Sequence, residues 1–285
     1  MEKRISPLSE LWLLIGESFS ILLSQKRNLV ISLMFPLGAA IISVWIAGKD
    51  MFITMESTKS ASFILVCAAI WGGLFNSIQV IVKERSMIKR DYISGALRLG
   101  CYTVSRAVVQ FGLCLLQSAV LSLSVLGVRL VYGNELPAEG LLFGAVFPEY
   151  WISLFLVMYS ADTLGLLISC LVKNEQLASQ LSPYILIVQL LFSGVLFSME
   201  GAASGVSALM LSRWGMEALG SIGNLNALPL ALQADFPMIP HPADDGFLYT
   251  PEHLAKVWLV LLLFALAHLL IGNAALHGVK KDTRG

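Results

Sequence analysis

No GxxxxGKS/T phosphate loop, no HExxH, no GxSxG and no CxxC occurs anywhere in this chain. The residues that common soluble-enzyme chemistries need at fixed spacing are therefore missing, and the chain is read as a non-enzyme. Charge is scarce as well: 13% of the 285 residues are charged against 56% hydrophobic. With a mean hydropathy of +0.76, that excludes an ordinary soluble domain and makes a lipid bilayer the solvent. The four cysteines, Cys67, Cys101, Cys114 and Cys170, all lie in or beside apolar runs, which excludes an extracellular disulfide framework. The start, MEKRISPLSELW, lacks a short apolar stretch with a small-residue cleavage site, so no removable signal peptide is expected. N-x-S/T sequons are absent too, in keeping with a bacterial plasma membrane.

What is present is a series of long uncharged runs. Crossing ~30 Å of hydrocarbon takes ~20 apolar residues in a helix. Asn28 to Gly48, Ser60 to Val82, Ala107 to Val128, Gln176 to Met199 and Val257 to Val279 hold no Asp, Glu, Lys or Arg. A further span is needed between Tyr150 and Val172, where Asp162 interrupts an apolar run. The expected fold is an all-α integral membrane protein, a single transmembrane domain over 1–285. Its expected spans are about 28–48, 60–82, 107–130, 150–172, 176–199 and 257–279. Six crossings put both termini on one side. With that side cytoplasmic, fourteen of the 19 Lys and Arg face the cytosol: Lys3, Arg4, Lys26, Arg27, six between Lys83 and Arg106, Lys173, Lys280, Lys281 and Arg284. The outer loops collect acids instead. A net charge of zero thus conceals an asymmetry that reports topology and offers nothing to a nucleic acid.

Before the first span, Leu8, Leu11, Trp12, Ile15, Phe19 and Leu22 recur at helical spacing, predicting an interfacial helix over 7–25 with Trp12 at headgroup depth. Pro36 and Gly38 fall within the first span. Gly133-Asn134 is a turn signal outside the third, and Lys173-Asn174-Glu175 makes a tight inner hairpin. Residues 200–252 differ: Gly201 to Leu211 is apolar yet too short to cross, which predicts short helices dipping back into the outer leaflet. Ala234 to Pro251, with four prolines, reads as an irregular outer loop.

His241, His253, His268 and His277 lack ligand-like spacing, and Asp244-Asp245 reads as a solvated acidic turn, so no metal site is expected. Polar residues inside the membrane are costly unless paired or facing a cavity, which singles out Gln79, Asp162 and Gln189. Two roles stand open for Asp162, a structural one bonded to Ser160 or to a neighbouring helix's hydroxyl, and a functional one. A proton relay would need more acids in register. Gly72-Gly73 and Ser193-Gly194 are read first as sites of close helix packing, and second as room for a cavity flanked by Trp71, Phe75, Leu186, Ile187 and Leu190.

The segment KERSMIKRDYISGALRLGCYTVSR, Lys83 to Arg106, is a charged island between two apolar runs. Met87, Ile88, Tyr92 and Leu97 recur at near-helical spacing while Glu84, Arg85, Lys89, Arg90 and Asp91 alternate in sign. Such a helix can dock on protein or lipid and pair with a charged partner.

Glu84 with Arg90-Asp91-Tyr92-Ile93-Ser94-Gly95 is similar to the acidic-Tyr-x-Ser-Gly run of type-2 ABC exporters, G subfamily. Tyr159-Ser160-Ala161, Phe192 to Leu196 and Ser212 to Leu219 match that family in order and spacing. The resemblance implies a half-transporter working as a homodimer or with a paralogous permease, surrounded by membrane lipids. Its second and fifth spans would line a central cavity through Trp71, Gly72, Phe75, Leu186, Ile187 and Leu190, with Val195 and Leu196 at an outer constriction. It further implies that the island is a helix-turn-helix coupled to an ATPase through Glu84, Arg85, Lys89, Arg90, Asp91, Tyr92 and Gly95. Glu200 to Leu219 would form re-entrant helices. Where family members often carry the ATPase on the same chain, this sequence starts with the interfacial helix. ATP and Mg are accordingly expected on a separate ABC-type ATP-binding protein, with no cofactor in this chain. The outer cysteines of animal relatives are missing, which excludes a covalent dimer bridge there. The apolar second span points to lipid, hydrophobic peptide or drug-like cargo. The alternatives are a non-transporting scaffold or sensor and a channel, the last weakened by the absence of a filter-like segment.

Overall fold

The computed structural model describes residues 6–281 apart from 138, 198, 241 and 242; Lys3, Arg4, His241 and Arg284 lie outside the described residues. The chain is 79% helix, with no strand among the described residues. The described residues form ten α-helices in order: α1 (Pro7–Ser24), α2 (Lys26–Ala47), α3 (Met55–Ser77), α4 (Val80–Ile93), α5 (Leu99–Tyr132), α6 (Val146–Leu171), α7 (Glu175–Leu191), α8 (Ala202–Ser207), α9 (Leu211–Ile222) and α10 (Pro251–Leu276).

Helix starts carry their signals in the sequence. Ser6 Oγ accepts the Ser9 N–H ahead of Pro7, Asn174 Oδ1 accepts the Leu177 N–H at 2.8 Å, and Thr250 Oγ1 accepts the His253 N–H ahead of Pro251. Each side chain satisfies a donor that the first helical turn leaves orphaned. At the other end of α5, Gly133 adopts a left-handed φ of 74° and stops the helix. Asn134 Nδ2 then donates to the carbonyls of Gly48 and Met51 at 2.9 and 2.8 Å, fastening the α2–α3 connection to the end of α5.

Among the described residues, five stretches are long and apolar enough to cross a membrane: Lys26–Asp50, Met55–Ile93, Leu99–Tyr132, Val146–Leu171 and Pro251–Val279. α6 is the most buried of them and forms the spine. Its polar residues each reach a different neighbour: the Tyr150 hydroxyl donates to Leu219 O on α9, Ser160 Oγ to Leu261 O on α10, and Tyr159 OH to Ala107 O on α5. Satisfying these groups helix to helix is what an apolar solvent demands. α2 and α10 lie at the rim, with large apolar side chains such as Trp45 and Leu270 exposed. α1 is apolar on two faces. Leu11, Leu14, Ile15, Ser18 and Leu22 turn inward, while Leu8, Trp12 and Phe19 stay exposed.

Two boundaries differ from the sequence reading. The expected second span, 60–82, is broken at Ile78-Gln79, so Val80 to Val82 belong to α4. The expected fifth span, 176–199, ends as a helix at Leu191. There Ser193 Oγ donates to Leu190 O at 2.8 Å, and Gly194 takes a φ of 77° that an α-helix cannot continue. The absence of charge up to Met199 concealed this stop.

The closest packing in the molecule joins α3 to α6. A Cβ added at Gly73 would stand 2.0 Å from Met158 O, and one at Gly165 would stand 2.8 Å from Leu74 O. Backbone meets backbone at both places, with no flexible side chain able to yield. Gly73→Ala and Gly165→Ala should each cost more than ~3 kcal/mol of stability, above the usual overpacking range because the atoms in the way are main chain. Thermal melting in detergent checks this, with Gly38→Ala, where a Cβ meets nothing within 4 Å, as the tolerated control.

Candidate functional site

The island forms a helix-turn-helix whose first arm, α4, continues α3 across a two-residue break. A break leaves the first N–H groups of the new helix without intrahelical acceptors. Gln79, at the N-cap of α4, makes no side-chain cap. Instead Ser169 Oγ, on α6, accepts both the Ile81 and Val82 N–H groups at 3.0 and 2.9 Å. One turn earlier Ser77 Oγ donates to Asp162 Oδ1 on α6. Asp162 is fully buried and its Oδ2 has no hydrogen-bond partner. Gln79 turns the other way and donates from Nε2 to Ser179 Oγ on α7.

Three further contacts fix α4. Glu84 receives the Tyr102 hydroxyl at 2.6 Å and pairs with Arg106, both on α5. Arg85 Nη1 donates to Cys170 O and Val172 O at 2.8 and 3.1 Å, where α6 ends and its last carbonyls lack partners. Tyr92 OH meets His277 Nδ1 at 3.1 Å, just beyond α10. The turn into α5 is a Schellman motif: Gly95, at φ 76°, donates to Tyr92 O, and Ala96 donates to Asp91 O. α1 closes the arrangement, since Glu10 accepts both the N–H and the guanidinium of Arg98 at 2.7 and 3.0 Å. Of the predicted coupling residues, Glu84, Arg85 and Tyr92 thus face the protein's own helices. Arg90, paired with the adjacent Asp91, has a side chain 76% exposed.

Gln79 beside Ser179 sets the register of α3 against the antiparallel α7. Trp71 lies eight residues before the first and Ile187 eight after the second, so both stand ~12 Å from the break. Trp71, Phe75 and Ile187 are all about half exposed, whereas Gly72 and Leu186 are buried within the chain and Leu190 is half-buried. Trp71 and Phe75 stack at 6.2 Å, with Phe35 edge-on to Trp71 at 6.3 Å. The predicted set divides into an exposed aromatic-aliphatic face and the packing behind it. At the far end Gln189 Oε1 accepts the Ser212 N–H at 3.1 Å and so caps α9 from α7. Val195 lines a cavity of about 300 Å³ walled by Arg213 and Glu217, which pair at 2.8 Å, while Leu196 is exposed.

Residues 9–222, from α1 through α9, match the family of ABC-2 type transporters, in its membrane region. The chain belongs to the ABC-2 type transporter family. No curated protein matches it. It is a multi-pass membrane protein and a permease component of an ABC-type transporter. Permeases of this kind pair with ATP-binding subunits.

Reading the permease's sequence alone missed several residues that hold this site. Glu10 and Arg98 join two helices far apart in sequence, and Ser169 is one of many hydroxyls in apolar runs. Asn76, Gln110 and Gln117 carried a usable signal, being amides in spans. Asn76 Nδ2 donates to Gln117 Oε1 at 2.6 Å, and Gln117 Nε2 donates to Ser32 O at 3.0 Å, tying α3 and α5 to α2. Replacing Ser169 by Ala leaves two buried N–H groups of α4 without an acceptor. The permease should lose ~1–3 kcal/mol of stability, and hydrogen exchange should accelerate at Ile81 and Val82 while the middle of α6 stays protected.

Proposed function

We propose that this chain is the permease subunit of an ATP-driven exporter resembling the G subfamily, which moves a hydrophobic or amphipathic substrate by alternating access. The observation that carries the reading is the α4 joint. It is a charged helix pinned to α5, α6 and the end of α10, with Arg90 left outward. Force applied to such a helix passes into three spanning helices together. A separate ATP-binding subunit, holding ATP and Mg, supplies that force by engaging the outward side of α4 near Lys89, Arg90 and Asp91. The helix then biases two states that bind ATP and cargo with different affinity.

The permease works as a dimer, with a second copy or a paralogous permease. The exposed Trp71, Phe75 and Ile187 face the equivalent surface across a cavity that takes lipid, peptide or drug-like cargo. Val195 and Leu196 narrow its outer end. α7 serves as a fifth of six crossings. Its 17 residues span ~26 Å, short of ~30 Å of hydrocarbon, and the turns after Leu191 make up the rest under cover of α8 and α9. The end that carries α4 is cytoplasmic, as the basic residues there require, and both termini lie with it in a bacterial-type plasma membrane.

Co-expression with candidate ATP-binding subunits tests the reading through two substitutions that act differently. Arg90→Glu reverses an exposed charge and should reduce the co-purified ATPase at least ~tenfold, since a like-charge contact costs several kcal/mol. Glu84→Gln should leave the ATPase bound and cut cargo-dependent ATP hydrolysis, because it weakens the link to α5 behind the docking side. Co-purification unaffected by Arg90→Glu, with hydrolysis unaffected by Glu84→Gln, would defeat the proposal.

A further inference from the structure

Between the end of α7, the short α8, α9 and the turn before α10 lies the cavity of about 300 Å³ that Val195 borders. At the small end of ligand cavities, it has room for a head group rather than a whole drug-sized molecule. Its hydrogen-bond donors are mostly engaged already. Ser193 Oγ donates to Leu190 O and Ser207 Oγ to Phe192 O, both at 2.8 Å, which leaves their oxygens as acceptors. Arg213, the cation among the described lining residues, gives Nε to Glu217 Oε1 at 2.8 Å and Nη1 to Ser204 O at 3.3 Å.

Acceptors, by contrast, are left over. Glu217 is only 7% exposed, and Arg213 takes one of its two oxygens. The other, Oε2, accepts no hydrogen bond among the described residues; His253 Nε2 stands 3.9 Å away and directs its proton to Gly246 O at 3.1 Å. Unlike the sealed Oδ2 of Asp162, Glu217 Oε2 keeps surface on the cavity. Asp245 adds a second carboxylate, with no side-chain hydrogen bond among the described residues, and Asp244, which accepts the Gly246 N–H at 2.8 Å, adds a third. The walls therefore carry an excess of negative charge. Beside it stand Met199, Met216 and the Phe247 ring, whose attraction for cations already shows in the Lys59 ammonium 5.8 Å from its centre. A hard metal ion would want oxygen ligands alone, and an anion would meet carboxylates. An ammonium bearing alkyl groups suits both parts of the lining, carboxylate for its charge and soft, polarisable ring and thioether for its carbons.

We propose that this cavity binds the ammonium head of a cationic amphiphile, its charge on Glu217 Oε2 and Asp245 and its N-alkyl groups on Phe247 and Met216. The apolar tail follows Val195 toward the exposed Leu196 and Phe197. Only the route of arrival, outward past Val195, rests on the transport reading. Binding itself does not.

Thiol modification of the whole chain in lipid nanodiscs tests this. Ser204→Cys places a thiol on the cavity wall, in a chain freed of its four native cysteines. Its rates with trimethylammonioethyl and sulfonatoethyl methanethiosulfonate, a cation and an anion, are taken as a ratio. The same ratio at Met238→Cys, 94% exposed and outside the cavity, is the reference. The ratio should be at least ~tenfold higher at Ser204→Cys. Adding Glu217→Gln or Asp245→Asn should lower it about fivefold, the effect of one carboxylate at contact distance. Hexyltrimethylammonium should protect Ser204→Cys from the uncharged methyl methanethiosulfonate, hexanoate should not, and either carboxylate variant should lose the protection. Equal ratios at Ser204→Cys and Met238→Cys overturn the proposal. So does protection by hexanoate as strong as by hexyltrimethylammonium, which would leave an apolar crevice only, or protection that survives both Glu217→Gln and Asp245→Asn. Should Glu217→Gln fail to fold, the exposed Asp245→Asn decides the question by itself. The assay contains no ATP-binding subunit, so its failure leaves the Arg90→Glu test of the transport reading untouched, and the reverse holds.

Discussion

Everything that positions α4 depends on how closely the backbone of α3 lies on that of α6. Gly73 and Gly165 allow main chain to touch main chain, and that approach brings Ser77 to Asp162 and the break at Ile78-Gln79 to Ser169. A wider spacing would leave the α4 amides reaching for an acceptor that was no longer there. In an apolar solvent no water replaces it, so helix packing and the break in α3 are one constraint seen from two sides.

From that constraint the rest follows in sequence. With α4 started by Ser169, its next turn presents Glu84 to α5 and Arg85 to the open carbonyls at the end of α6. Tyr92 reaches His277, just beyond α10. Gly95 then reverses the chain so that Arg98 meets Glu10, which binds α1 into the same body. These contacts use charge sparingly and where it counts. The Arg85 guanidinium completes a helix terminus, and the Glu84–Arg106 pair is shielded by Tyr102, whose ring also lies 5.2 Å from the guanidinium. Lys83, Ser86, Met87, Arg90 and Ile93 of α4 face outward, the Arg90 side chain most clearly at 76% exposed.

Five of the six expected spans were legible in the sequence because the bilayer enforces length and apolarity. Charge alone did not reveal the break at Ile78-Gln79 or the stop at Gly194, since backbone turns inside an uncharged run leave hydropathy unchanged. Most of the α4 site was visible as residue types, and its division into inward and outward sides was not. Glu84 and Arg90 look equivalent in a list of alternating charges. They differ because α5 and α6 pass beside one and not the other, a fact of tertiary packing. Glu10, one of two acids beside an apolar stripe, gave no hint that it would meet Arg98.

The central claim is that α4 and α6 move as one body when the ATP-binding partner closes. Spin labels at Met87 on α4 and Leu171 at the end of α6, both exposed, in a cysteine-free background and in complex with that partner, measure it directly by pulsed electron resonance. The account predicts that the Met87–Leu171 distance stays the same with and without ATP, while the distance between the two Met87 positions of the proposed dimer changes. A Met87–Leu171 distance that shifts with ATP, with α6 stationary, would show α4 swinging free on its break and would contradict it.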